Sequence, residues 1–537
     1  MDEHTSAEPR KRLRHRIPTS LRQHWTIAVA LVAFVALVGT VFGTSRIRPY
    51  ITGDPTVIAS EITENIAGTV DLFDTSVDHE VSIDISDVEY DDMIDAYVDD
   101  GEKEWVTADV TIDGTVITDV GVRLKGNSTL SALRGGMGEG PGGGEGSGGP
   151  PGGSELPGGF ELPDDVELPE GFDPAEMFAG GEGMPGMGGT SISTDDPTSL
   201  PLLIDFSKNV EGRAYQGMTQ LSVRPGSPVL NEAMALSLTD ATDQPTQRYA
   251  YTVYSVNGSA TATRLLLEHP DESYANSLFD SDGYLYKADA SSSFTYVGDD
   301  QADYTDQFEQ INAEGTGDVQ PIISFLKWMD SASDEEFDAH LADWVDVDSF
   351  AQYVATQNLL VNGDDMSGPG QNYYLWYDLD TKKISVVSWD LNMAMQGGTT
   401  AGPSDTVSMG GGMGGPGGRR GQGGAPGAAA TGMAPPEGAT PSEGRTQPNG
   451  DGGEGRSMGG NTLKSRFLDS DAFTDVYEAA YWDLYEQMYG SGLALSILDG
   501  LASGVPTSDG LTAESLQSSV DSMRTWIQQR TDALAAI

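Results

Sequence analysis

The chain has 537 residues, 83 of them acidic and 29 basic, for a formal charge of −54. A polyanion of that size is repelled by nucleic acid, so nucleic-acid binding is excluded; divalent cations and cationic partners are favoured. There is no cysteine, which removes disulfides, thiolate metal sites and cysteine nucleophiles together.

In chain order, residues 1–24 form a basic tail with Arg10, Lys11, Arg12, Arg14, Arg16 and Arg22. An uncharged run over 25–45 follows, long enough to cross a ~30 Å hydrocarbon layer at ~1.5 Å per residue. Basic residues before it and acidic sequence after it predict one transmembrane helix, with the C-terminal body outside the cytoplasm. Residues 46–75 read as a tether. Strand signals dominate from 80 to 125, with an Asp113-Gly114 hairpin turn. They are interrupted by an acidic helix from Ser86 to Val98, capped by Ser86 with Glu89 three residues on. Residues 135–196 and 402–460 are two Gly/Pro-rich insertions whose composition predicts disorder. They divide a single domain made of 76–134, 197–401 and 461–537.

Within that domain P-L-L-I-D-F (Pro201 to Phe206) and Y-Q-G-M-T-Q-L-S-V (Tyr215 to Val223) read as strands. Ser227-Pro228 reads as a helix start with proline in the first turn, and Asn257-Gly258 as the turn of a hairpin. Helices are expected over 318–345, with Trp328 and Trp344 inward, and again after 461 and from Ser515 to Ile537. Strands first and helices later predict a two-lobed α+β body.

The densest chemistry lies between 346 and 392. Phe350, Tyr353, Val354, Gln357, Leu360 and Val361 keep helical spacing, with Asp346 or Asp348 as N-cap. N-G-D-D-M-S-G-P-G-Q (Asn362 to Gln371) is a loop. N-Y-Y-L-W-Y-D and I-S-V-V-S-W then form a hairpin ending at Asp390. A hairpin returns its end to its beginning, so Asp390 is delivered near Asn372 and the loop carrying Asp364 and Asp365. Phosphoryl transfer needs such a layout: one carboxylate for the attacking hydroxyl, an amide and a second carboxylate for the metal. Asp364 to Asn372 is eight residues, against about five in the protein-kinase catalytic loop. The same aspartates could simply cap a turn and end a strand.

Five strings occur in order: G-V-R-L-K-G-N-S (Gly121 to Ser128), P-L-L-I-D-F, G-Y-L-Y-K-A (Gly283 to Ala288), N-G-D-D-M-S-G-P-G-Q-N-Y-Y-L-W-Y-D and S-W-D-L-N. Together, from about residue 75 onward, they resemble the spore-coat protein H (CotH) kinase family. The resemblance implies a protein-kinase-like fold, ATP and Mg²⁺ or Mn²⁺ as cofactors, and a protein hydroxyl as acceptor. Asp364, or Asp365 if the register differs by one, takes the catalytic place. Asn372 and Asp390 take the metal, with Asn392 where relatives often carry a second aspartate. Lys125, paired with Glu232 of the following helix, and Arg123 on the same strand face are the expected nucleotide contacts. Leu203 stands where relatives commonly carry a basic residue, which weakens any phosphate role for that strand.

Glu268 could begin the connection between lobes, and Lys287 could reach the cleft. His79, His269 and His340 lack metal-site spacing, and no G-x-x-x-x-G-K-[ST] loop is present. Two other classes fit parts of the same sequence. One is a non-catalytic surface or adhesive protein keeping the fold; the other is a carboxylate-pair hydrolase.

Overall fold

The computed structural model describes residues 62–126, 129–134, 192–279, 281–313, 317–407 and 461–537. The strands in chain order are β1 (Glu64–Ile66), β2 (His79–Ile85), β3 (Val106–Ile112), β4 (Thr115–Leu124), β5 (Leu202–Asp205), β6 (Arg213–Tyr215), β7 (Gln220–Val223), β8 (Tyr249–Val256), β9 (Ala262–Glu268), β10 (Gly283–Ala288), β11 (Phe308–Gln310), β12 (Tyr373–Asp378) and β13 (Ile384–Ser388). The helices are α1 (Asp87–Asp100), α2 (Leu230–Asp240), α3 (Glu272–Leu278), α4 (Gln320–Ser331), α5 (Asp334–His340), α6 (Val347–Leu359), α7 (Thr462–Asp469), α8 (Asp471–Tyr485), α9 (Leu493–Gly504) and α10 (Ala513–Ala535).

Seven strands close a barrel in the order β2-β3-β4-β5-β7-β9-β8, with β8 and β2 the parallel closing pair. Alternation explains β2 and β3: Val81, Ile83, Val110 and Ile112 point inward, while Glu80 and Asp84 point to solvent. Asp113 and Gly114 have φ of 47° and 77°, and Asn257 and Gly258 have 51° and 67°. Both two-residue turns are therefore of the kind that matches strand twist. The continuous apolar run of β9 has a different cause. Leu266 enters the barrel core, whereas Leu265 and Leu267 enter the core of the helical half. Strand β9 is thus covered on both faces. Helix α2 packs its apolar residues into that second core, against the outside of the barrel.

The helical half contains the antiparallel sheet β11-β10-β12-β13 and helices α4 to α10. Trp328 and Trp344 stack 5.5 Å apart within its aromatic cluster. Ser86 caps α1 by accepting from the Glu89 amide, and Asp346, not Asp348, caps α6 through Ser349. The result is a mixed α and β body.

Several expectations are corrected. Residues 62–75, read as tether, belong to the fold: β1 pairs with β6, and Leu72 is buried in the barrel core. The run Tyr215 to Val223 is not one strand, because Gln216 and Gly217, with φ of 50° and 82°, turn the chain between β6 and β7. Pro228 lies before its helix, which starts at Leu230. The margins of both insertions are anchored. Asp196 caps a short 3₁₀ turn at Pro197–Ser199, and Asn358 donates to the carbonyls of Gly402 and Asp405. The rest of both insertions, the basic tail and the 25–45 run lie outside the described residues. Among the described residues no helix is long and apolar enough to cross a membrane.

Candidate functional site

A cleft of about 2650 Å³ lies between the barrel and the helical half. Its helical-half wall is built by the loop after α6. Asp364 Oδ1 accepts from the Gly370 amide at 2.7 Å, and Asn372 Nδ2 donates to Asp364 Oδ2 at 3.0 Å and to its carbonyl at 2.9 Å. A side chain on Gly370 would sit 2.6 Å from Asn372 Nδ2 and 2.7 Å from Asp364 Oδ2, so the glycine leaves room for this hydrogen-bonded arrangement. Burial pushes the Asp364 carboxyl above the usual aspartate range, and nearby Asp390 adds to the rise against the Gly370 and Asn372 hydrogen bonds.

Its neighbour has a different fate. Asp365 is 3% exposed and does not line the cleft. It accepts from the Ser367 amide at 2.8 Å and forms an ion pair with Lys464 of α7. The paired aspartates are thus separated: Asp364 faces the cleft, and Asp365 fastens its loop to α7. The register alternative that put Asp365 on the chemistry is corrected on this ground.

The hairpin behaves as the sequence implies. Tyr373 pairs with Ser388, which sets Asn372 across from Trp389 and brings Asp390 to the same end. Asp390 has φ of 52°, a left-handed conformation that an aspartate tolerates better than most residues. Asn392 also lines the cleft, and its carbonyl accepts from Asn231 of α2 at 2.6 Å.

The barrel wall carries a group of cations among the carboxylates Asp195, Asp196, Glu232, Asp271 and Glu272. Lys103, Arg123, Lys125 and Arg224 line it, and Lys287 of β10 faces the same space. Arg123 lies over the Trp105 ring at 4.8 Å, and its Nε is buried without a hydrogen-bond partner. Burial and the charges of Arg123 and Lys287 hold Lys103 below the usual lysine range.

The expected pairing of Lys125 with Glu232 is not formed. Lys125 Nζ instead contacts Ser222 Oγ, lies 3.3 Å from His269 Nδ1, and sits 5.1 Å over the Trp389 ring. Glu232 pairs with Arg224, whose guanidinium also binds Asp390, so one cation joins α2 to the end of the hairpin. Strand order is the reason. Lys125 follows β4 and Arg224 follows β7, with β5 between the two strands, and β7 leads directly into α2. Arg224 was not singled out from the sequence; its position at a strand end just before a helix bearing Glu232 was the available signal. Because two carboxylates share this one cation, burial and Asp390 raise Glu232 against the pull of Arg224, and Glu232 Oε2 has no partner. Glu268, considered as the start of the connection between the lobes, forms an ion pair with Arg248 on the barrel.

Among the described residues no three His, Asp or Glu side chains converge as a self-sufficient metal site. Asp364, Asn372, Asp390 and Asn392 offer oxygens only, which suits a hard cation such as Mg²⁺. Such an ion commonly takes one or two carboxylates and completes its shell with phosphate and water. The unpartnered Glu232 Oε2 and the sharing of Arg224 leave carboxylate charge in the cleft for a cation to offset. The residues therefore fit a cation that arrives with phosphate.

The family model described as CotH kinase protein matches residues 227–534, more than half of the chain. The chain belongs to the CotH kinase family. The match begins just before α2, so Gly121 to Ser128 and Pro201 to Phe206, which also carry the resemblance, lie outside it. No curated protein matches the chain.

Proposed function

We propose that this CotH kinase family member is a membrane-anchored, extracytoplasmic phosphotransferase with a kinase-like two-lobed fold, moving phosphate from ATP to a hydroxyl of a protein substrate. One observation carries the reading. In a chain with 83 acidic and 29 basic residues, Arg123, Lys125, Arg224 and Lys287 gather in one cleft with Asp364, Asn372 and Asp390. Clustered cations repel one another, and an anionic ligand offsets that cost.

On this reading Arg224, Lys125 and Arg123 bind the phosphates. Asp364 accepts the proton of the attacking hydroxyl, a role its raised pKa favours by bringing it nearer to working pH. Asn372 orients that carboxylate by its hydrogen bonds and, with Asp390 and Asn392, would hold Mg²⁺ or Mn²⁺. The bound cation supplies charge neutralisation at the phosphates. The anchor is the 25–45 run; protease added outside intact cells should digest the C-terminal body and spare the extreme N-terminus.

The non-catalytic reading draws on a separate observation. Asp390 is held by Arg224, and Asn392 brings no charge, so the cleft can persist as a purely structural ion-pair network. Incubation of the full chain with ATP labelled in its γ-phosphate separates the two. Label transfer to protein that is lost in Asp364→Asn supports the enzyme; label in neither protein supports the structural reading.

A further inference from the structure

Lys125 is a cleft lysine whose immediate surroundings are drawn from neutral groups. Its Nζ is enclosed by Ser222 Oγ from β7, His269 Nδ1 from the end of β9 and the indole face of Trp389. Ser222 is fully buried, and His269 Nδ1 is itself 3.3 Å from Ser222 Oγ. No carboxylate among the described residues lies within ion-pairing distance of Nζ. The charged groups facing it at longer range are Arg224 and Lys287, both positive, and Asp390 and Glu232, both negative and already engaged by Arg224.

An ammonium ion in such an enclosure lacks a counter-charge. A neutral amine can satisfy the same hydrogen bonds to Ser222 and His269 without one. Entry of phosphate oxygens changes the balance by supplying the missing negative charge. Resting on the nucleotide reading above, we propose that binding of a phosphate-bearing ligand is coupled to uptake of one proton by Lys125. The proton comes from solvent and goes to the Nζ lone pair; no other bond is made or broken. Burial, reinforced by Arg224 and Lys287, holds the free Lys125 well below the usual lysine range, in keeping with this geometry. Burial and the facing cations likewise keep His269 neutral.

The consequence is specific. Affinity falls as pH rises through the range where the free lysine has lost its proton and the bound lysine keeps it, by up to ~tenfold per pH unit for one proton. Titration calorimetry of the full chain in detergent tests this. The probe is a non-hydrolysable ATP analogue with magnesium, in two buffers of different ionisation enthalpy, which gives the number of protons taken up. The ligand's own protonation cancels in the difference between variants.

Wild type should take up about one proton more than Lys125→Arg, whose charge is permanent. Lys125→Met, of similar length and without charge, loses the same proton and binds more weakly; it serves where arginine does not fold. His269→Gln retains the uptake. Equal proton numbers in wild type and the Lys125 variants overturn the proposal while leaving nucleotide binding intact, and loss of uptake in His269→Gln overturns it in favour of the imidazole. No binding by any protein at any pH removes the nucleotide reading and this proposal with it.

Discussion

The two walls of the cleft are built by different means. The barrel wall gets Arg123, Lys125 and Arg224 from the ends of strands, and strand register fixes where their backbones stand. Arg123 lies at the end of β4 and Lys125 just after it, and Arg224 leaves β7 on its way to α2. The opposite wall gets its carboxylates from loops whose shape depends on glycine, on an Asn372 side chain folded back on Asp364, and on the Asp365–Lys464 pair behind them. A strand can carry a charge with little support, whereas a loop must be held from several sides before it can present one. Arg224 crosses between the walls by joining Glu232 to Asp390.

The strongest way to sharpen that comparison is to change each wall without moving it. Asp364→Asn keeps the side chain's size but loses the proton acceptor and one of the two hydrogen bonds the carboxylate accepts, since an amide has one acceptor oxygen. Nucleotide should still bind while transfer falls ~10²–10⁴-fold, as for a lost general base. In wild type, transfer should fade on acidification at a pH above that of an ordinary aspartate, because Asp364 works unprotonated and its pKa is raised. A raised folded-state pKa also means the charged form is held at a cost above the unfolded value. Removing that charge relieves this cost while one hydrogen bond is lost, so the melting temperature should change little at neutral pH.

Arg224→Ala attacks the crossing point. It leaves Glu232, 1% exposed, and Asp390 without their cation. The loss should be on the order of 3–5 kcal/mol in unfolding experiments, together with loss of nucleotide binding. Survival of both would show that the bridge does not matter. Asp365→Asn should separate support from chemistry. Stability should drop by about 1–3 kcal/mol as Lys464 loses its buried partner, with nucleotide affinity retained. The smallest effect is expected from deleting 137–190 or 408–458 with a short linker, since neither composition offers apolar surface for a core. The melting transition should stay within a few degrees in calorimetry, whereas loss of a cooperative transition would show a packed element there.

The sequence was informative where a local rule dictates geometry. Asp113-Gly114 and Asn257-Gly258 demand positive φ and have it; the helix, loop and hairpin from Asp346 to Asp390 are contiguous and follow their own periodicities. It was silent where partners are chosen in three dimensions. Nothing local says that β4 and β7 are separated by β5, so nothing local says which cation meets Glu232. Helix α9 contains Gly500 and Gly504, which depress helix propensity and hide it from pattern reading. The two strands flanking Gln216-Gly217 are short, and their apolar residues run together across the turn. Asp364 and Asp365 are equivalent in sequence; the folded-back Gly370 and Asn372 on one side and Lys464 of α7 on the other tell them apart.

The central claim is that the two walls hold a nucleotide together with a divalent cation. It is tested most directly by thermal unfolding of the full chain with ATP and magnesium, manganese or calcium, alongside Asp390→Ala. The account predicts that wild type is stabilised by nucleotide in a metal-dependent way and that Asp390→Ala loses the metal-dependent part. Unfolding of wild type that is indifferent to nucleotide with every one of the three metals would contradict it and favour the structural reading.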